Sequence, residues 1–183
     1  LKADAVILPG VGSFGDAMLN LTKSGLDNVL REVAVSGTPF MGICLGMQLM
    51  MTESEEFGYH KGLGIIDGQV VKLKTSTDGI RNLKVPQVGW NRIHDPVIDN
   101  IDSEWSAEIL SGIPKGSYMY FVHSYVAVPR DDSLITSFTD YGVNNFCSSL
   151  KNLNVFGCQF HPERSGENGI KMYQNLRELV DSQ

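Results

Sequence analysis

The sequence runs to 183 residues with 42% hydrophobic side chains, enough to bury the core of one domain and little more. Its formal charge of −6 comes from carboxylates dispersed along the chain rather than from an acidic tail, which favours solubility and argues against a nucleic-acid binder. No apolar run approaches the roughly 20 residues that a bilayer span needs and no charged-then-apolar leader opens the chain, so the reading is a cytoplasmic protein without a membrane partner.

The chain begins at Leu1 rather than Met, a few residues before its first strand, which leads us to expect that an amino-terminal piece precedes it. Residues 5–8 form a short apolar run stopped by Pro9 and read as a buried parallel strand. From 16 to about 35, Met18, Leu21, Leu26, Val29, Leu30 and Val33 recur at near-helical spacing, with Gly25 as a break between two shorter helices. Gly37-Thr38-Pro39 turns the chain into a second strand at 40–43, and helical spacing resumes from Leu45 to about Thr52. This β-α-β-α rhythm implies an α/β domain over 1–183, built on an open mixed, mainly parallel sheet flanked by helices. Segments 69–73, 85–93, 118–128, 134–138 and 154–160 are strand-like and separated by turn residues, so some must pair antiparallel. An amphipathic helix at 170–180 closes the chain.

Two motifs compete for the chemistry. Gly10-Val11-Gly12-Ser13-Phe14-Gly15 matches the dinucleotide-binding pattern, but the acid that should end a second strand about 20 residues later is missing, because Glu32 lies in a helical stretch. A loop whose backbone N–H groups approach a ligand oxygen fits these glycines better. Gly42-Ile43-Cys44-Leu45-Gly46, between a strand and a helix, is the cysteine counterpart of a nucleophile elbow. There the following helix start favours a thiolate, and the Leu45 N–H is the expected donor to a developing oxyanion.

Near the other end a strand runs into His161-Pro162-Glu163, where residues two apart share a face, so Glu163 can orient the His161 ring towards a thiol. The three cysteines, Cys44, Cys147 and Cys158, include no C-x-x-C pair and read as reduced thiols. A metal site at Cys158 and His161 is disfavoured by their spacing and by the absence of a four-ligand set. His94 and His123 read as satisfied structural or surface histidines. Together the elbow and the His-Glu pair point to acyl transfer.

At these residues the sequence resembles the class I, or triad, glutamine amidotransferases, with their G-I-C-x-G elbow and H-P-E motif. The stretches 9–18, 87–91, 120–125 and 160–166 are similar to the family of glutaminase subunits of imidazole glycerol phosphate synthase, and the likeness spans the chain. The resemblance implies a flavodoxin-like core preceded by a further strand and helix. It also implies L-glutamine as substrate, no cofactor, no metal, and a heterodimer with a β/α-barrel cyclase that receives the ammonia in histidine biosynthesis. By position it assigns catalysis to Cys44, His161 and Glu163, and the movable oxyanion loop to Gly10, Val11 and Gly12. Gln48, Ser124 and Tyr125 would hold glutamine, and Tyr120 would face the cyclase. The same triad could supply another synthase, or the fold could persist as an idle binding domain; a peptide hydrolase fits the likeness least.

Overall fold

The computed structural model describes residues 2–75, 83–96, 105 and 107–182. Its central sheet has five strands in the order β1-β2-β11-β10-β9. Strands β1 (Val6–Leu8), β2 (Phe40–Ile43) and β11 (Val155–Cys158) run parallel, and β10 (Asn144–Asn152) and β9 (Ile135–Tyr141) continue antiparallel. The mixed sheet flanked by helices is the expected α/β architecture, and its parallel half carries both motifs.

Successive residues of a strand face opposite sides, and both sides here are apolar. Phe40 and Val155 pack with Phe14, Met18 and Met47 beneath α1 (Phe14–Ser24), α2 (Leu26–Ser36) and the short α3 (Leu45–Leu49). Met41 and Phe156 point the other way, into a cluster with Phe121, Phe160, Met172 and Leu176 that includes α4 (Gly166–Asp181). Burial on both faces explains why these strands read as continuous apolar runs. Gly25, at φ 72°, ends α1 and opens α2, as the sequence predicts: the left-handed residue stops one helix and redirects the chain.

Three expectations need correction. The helix after the elbow stops at Leu49 rather than near Thr52, and the chain turns into β3 (Met51–Ser54). The reason is tertiary. The carbonyls of Leu49 and Met50, which a longer helix would use internally, accept from the Leu63, Ile65 and Ile66 N–H groups leading into β5 (Ile66–Lys72). The buried Met47, Met50 and Met51 suit either conformation. Strand β10, absent from the sequence reading, is masked by polar residues. Ser148 and Ser149 are fully buried there, and their hydroxyls bond to Ser137 and Thr136 on β9 at 2.6–2.8 Å.

A second sheet, β4-β3-β5-β8, includes β4 (His60–Lys61) and β8 (Tyr125–Pro129). A separate antiparallel ribbon pairs β6 (Gln87–Arg92) with β7 (Tyr118–His123). The predicted strand over 118–128 is therefore two strands in different sheets, broken at Ser124. This break swings residues 122–125 past the carboxyl ends of β2 and β11.

Candidate active site

Cys44 follows β2 directly and has φ 52°, ψ −109°, a strained conformation for a residue with a Cβ. Strain of this kind typically costs on the order of 1–3 kcal/mol and persists only where surroundings impose it. Here its N–H donates to the Cys158 carbonyl at 2.7 Å, tying the bend to β11. The two flanking glycines are sterically required. A Cβ on Gly42 would lie 2.8 Å from backbone atoms of Gly46 and Met47, and one on Gly46 would lie 1.7 Å from the Leu8 oxygen. Thus the G-x-C-x-G spacing is a packing solution that projects one sulfur above the sheet edge.

That sulfur belongs to a residue only 7% exposed. The Gln159 side-chain amide donates to it at 3.5 Å, the thiol faces Val122 O at 3.9 Å, and the adjacent Leu45 N–H favours its charged form. Burial pushes the thiol up to about 11, and the Glu163 carboxylate adds to this, against the two donors that pull it down. The resting group is therefore the thiol. This corrects the expectation of a thiolate: α3 is a single short turn, and its field does not offset desolvation.

His161 leaves the end of β11 with its N–H bonded to Tyr120 O (2.8 Å) and its carbonyl accepting from the Ser165 hydroxyl (2.7 Å). Nδ1 lies 2.7 Å from Glu163 Oε1. Since an ionised carboxylate only accepts, Nδ1 carries the proton, and in the neutral ring Nε2 is a free lone pair. That Nε2 is buried and has no partner among the described residues. Cys44 and His161 line one cavity of about 290 Å³. A larger cavity, about 320 Å³ beneath β8 and β10, contains Cys147 but no histidine, so chemistry favours the smaller one.

The other expected residues divide. Val11, Gly12, Leu45, Gln48, Ser124 and Tyr125 line the cavity. Gly10 sits one layer behind, where an added Cβ would meet Leu45 Cβ at 3.2 Å. Gln48 donates to both Tyr125 O and Gln159 Oε1 at 2.9 Å, leaving its carbonyl as the end able to meet a ligand. Tyr120 is outside the cavity, on the ribbon, with the Arg164 guanidinium 4.2 Å above its ring and Trp90 edge-on at 6.0 Å.

Three participants escaped the sequence. Glu56 lines the cavity and accepts from the Phe14 N–H at 2.6 Å. Within Glu53-Ser54-Glu55-Glu56 it reads as one of a solvated acidic run. Gln159 is fully buried, and an amide inside the apolar run 155–160 was the available signal, because a buried amide needs partners. His123, read as satisfied, lines the cavity with a buried Nε2 that lacks a partner among the described residues.

A cysteine on a strained elbow and a carboxylate-oriented imidazole just past the end of the neighbouring strand share one cavity, an arrangement able to support cysteine acyl transfer. The chain matches the family model "Glutamine amidotransferase class-I" over residues 2–178, and it belongs to that family. Among its relatives are proteins named imidazole glycerol phosphate synthase subunit HisH. The one from Aquifex aeolicus (strain VF5) is 43% identical over 183 residues, covering 98% of this chain and 80% of that protein. The one from Pyrococcus furiosus is 44% identical over 178 residues, covering 97% and 83%. The fold is shared with a putative GMP synthase subunit of Thermoplasma acidophilum, with TM-score 0.66, 19% identity and coverage of 99% of this chain and 74% of that one. It is shared as well with PurLQS from Thermotoga maritima, with TM-score 0.65, 18% identity and coverage of 98% and 81%.

Proposed function

We propose that this chain is the glutaminase subunit of an imidazole glycerol phosphate synthase, hydrolysing L-glutamine to glutamate and ammonia for a separate cyclase. The observation that carries the reading is the cavity shared by Cys44 and His161, whose ring Glu163 orients, at the end of two adjacent parallel strands. His161 Nε2 takes the Cys44 proton as the sulfur attacks the side-chain carbonyl of glutamine. The Leu45 N–H, adjacent to the sulfur, and the loop of Gly10, Val11 and Gly12, of which Val11 and Gly12 line the cavity, stabilise the oxyanion. The proton then passes from His161 to the departing nitrogen, ammonia leaves, and water cleaves the thioester. Glu56 gives the cavity mouth the negative charge that an α-ammonium group requires, while Ser124 and Tyr125 face the rest of the amino-acid end.

The cyclase is proposed to dock on the β6–β7 ribbon. Val88 opposite Val122, Trp90 opposite Tyr120 and Arg92 opposite Tyr118 form its outer face, and Val88, Trp90 and Tyr118 are at least half exposed. The other face packs Met119 and Phe121 into the core. An aromatic and arginine surface of this kind is typical of binding hot spots. The test is glutamate release by the chain with and without a cyclase and its nucleotide ligand. Stimulation by cyclase, abolished in Cys44→Ala, is the expected result; turnover retained by Cys44→Ala would remove the nucleophile.

A further inference from the structure

His123 lies at the end of β7, 6% exposed, packed against Phe121 and Phe146 with ring centroids 5.8 and 5.1 Å away. Its Nδ1 is 3.0 Å from Tyr125 O. A carbonyl only accepts, so Nδ1 carries the hydrogen and Nε2 is a lone pair. Burial holds the ring at about 4, well below its ordinary value, so it stays neutral under physiological conditions. The Nε2 atom, buried among cavity-lining groups, has no partner among the described residues. His161 Nε2, 5% exposed at the residue level and lining the same cavity, is in the same condition. Behind them Gln87, the cross-strand partner of His123, has a buried Oε1 without a partner among the described residues as well. Leaving a buried acceptor unsatisfied typically costs about 1–3 kcal/mol. The two histidine acceptors that share a cavity with Cys44 call for a small molecule carrying more than one O–H or N–H donor.

We propose that His123 holds the hydrolytic water of the second half-reaction, its Nε2 accepting one O–H while His161 Nε2 accepts the other. This rests on the acyl-transfer reading above. Before acylation the Cys44 thiol donates to Val122 O at 3.9 Å and His161 Nε2 is without a partner among the described residues; once the sulfur carries the glutamyl group, that Nε2 is the acceptor for water. With both O–H bonds anchored, the oxygen lone pairs face the thioester carbon. His161 takes one proton as the C–O bond forms, the C–S bond breaks, and the same proton returns to the Cys44 sulfur. The other O–H remains on the glutamic acid product. His123 neither gains nor loses a proton. Its tautomer, fixed by Tyr125 O, makes it an acceptor only.

The experiment compares wild type, His123→Phe and His123→Gln as complexes with cyclase, by quenched-flow measurement of ammonia and glutamate and by intact-mass detection of glutamyl-Cys44. His123→Phe keeps the aromatic packing and removes the acceptor. We expect a burst of ammonia near one per active site, persistent glutamyl-enzyme, and steady glutamate release slower by about ten- to a hundredfold, the scale of losing one positioning contact. Hydroxylamine, which brings its own nucleophile, should restore turnover as the hydroxamate, and His123→Gln should recover part of the hydrolysis. If His123→Phe does not fold, His123→Leu makes the same deletion. Equal slowing of ammonia and glutamate, or no slowing, would overturn the assignment. Absence of any glutamyl-Cys44 in every form, despite glutamate release, would instead overturn the acyl-enzyme reading and this one with it.

Discussion

Cys44 is held as a thiol by burial, and its reactivity outside catalysis should show it. At pH 7 a thiol with a pKa near 11 presents about a hundredfold less thiolate than one near 9. Alkylation of Cys44 by iodoacetamide in the free chain is therefore expected to be slow at neutral pH and to climb until beyond pH 10. A plateau near pH 8 would mean that an ion pair with His161 outweighs desolvation. Its neighbour Gly46 permits a second measurement. The 1.7 Å approach to the Leu8 oxygen leaves no rotamer that relieves a methyl group, so Gly46→Ala should lower stability by about 1–3 kcal/mol or more, read from the denaturant midpoint. At this scale the sequence was informative wherever chemistry is encoded as spacing: Cys44 between glycines, and Glu163 two residues from His161. It was uninformative for Glu56, Gln159 and His123, whose importance depends on partners 42 to 115 residues away or on the side chain facing a cavity rather than solvent.

Elements follow the same logic. The parallel strands and the break at Gly25 were legible because periodicity and a left-handed glycine act locally. The early end of α3 and the existence of β10 were not, because carbonyls of 49–50 are claimed by a segment some fifteen residues on, and because buried hydroxyls satisfy one another across β9 and β10. The β6–β7 ribbon has two roles on its two faces. Its inner side brings His123 to the cavity, and its outer side presents Trp90, which is 55% exposed. Trp90→Ala should consequently leave the thermal midpoint of the free chain nearly unchanged and weaken cyclase binding about thirtyfold, the equivalent of a 2 kcal/mol hot spot. Titration calorimetry distinguishes these; a large loss of stability with unchanged affinity would assign Trp90 to the fold instead.

The molecule as a whole keeps two ionisable groups of its site neutral, and each leaves a signature in stability against pH. Cys44 is raised from 9.0 to about 11, so its contribution is complete below pH 9 and is lost as pH rises through 11, a limb shared with the buried Cys147 and Cys158. The acid limb is shared with Asp27, Glu108 and Asp131, whose hydrogen-bond partners hold their carboxyls low, so a variant is needed to isolate the histidine. His123 is depressed from 6.5 to about 4. Between these values the unfolded chain binds a proton that the folded chain refuses, so stability present above pH 6.5 declines as pH falls through 4. The size is on the order of 3 kcal/mol, at about 1.4 kcal/mol per pH unit of separation. In His123→Phe this term vanishes, and the difference in unfolding free energy between variant and wild type should shift in favour of the variant from pH 7 to pH 4. Urea denaturation at half-unit pH steps measures the two curves. Parallel curves would mean that the folded ring titrates where the unfolded one does, so that burial does not hold it neutral and at pH 4 a cationic ring would donate from Nε2 instead of accepting there.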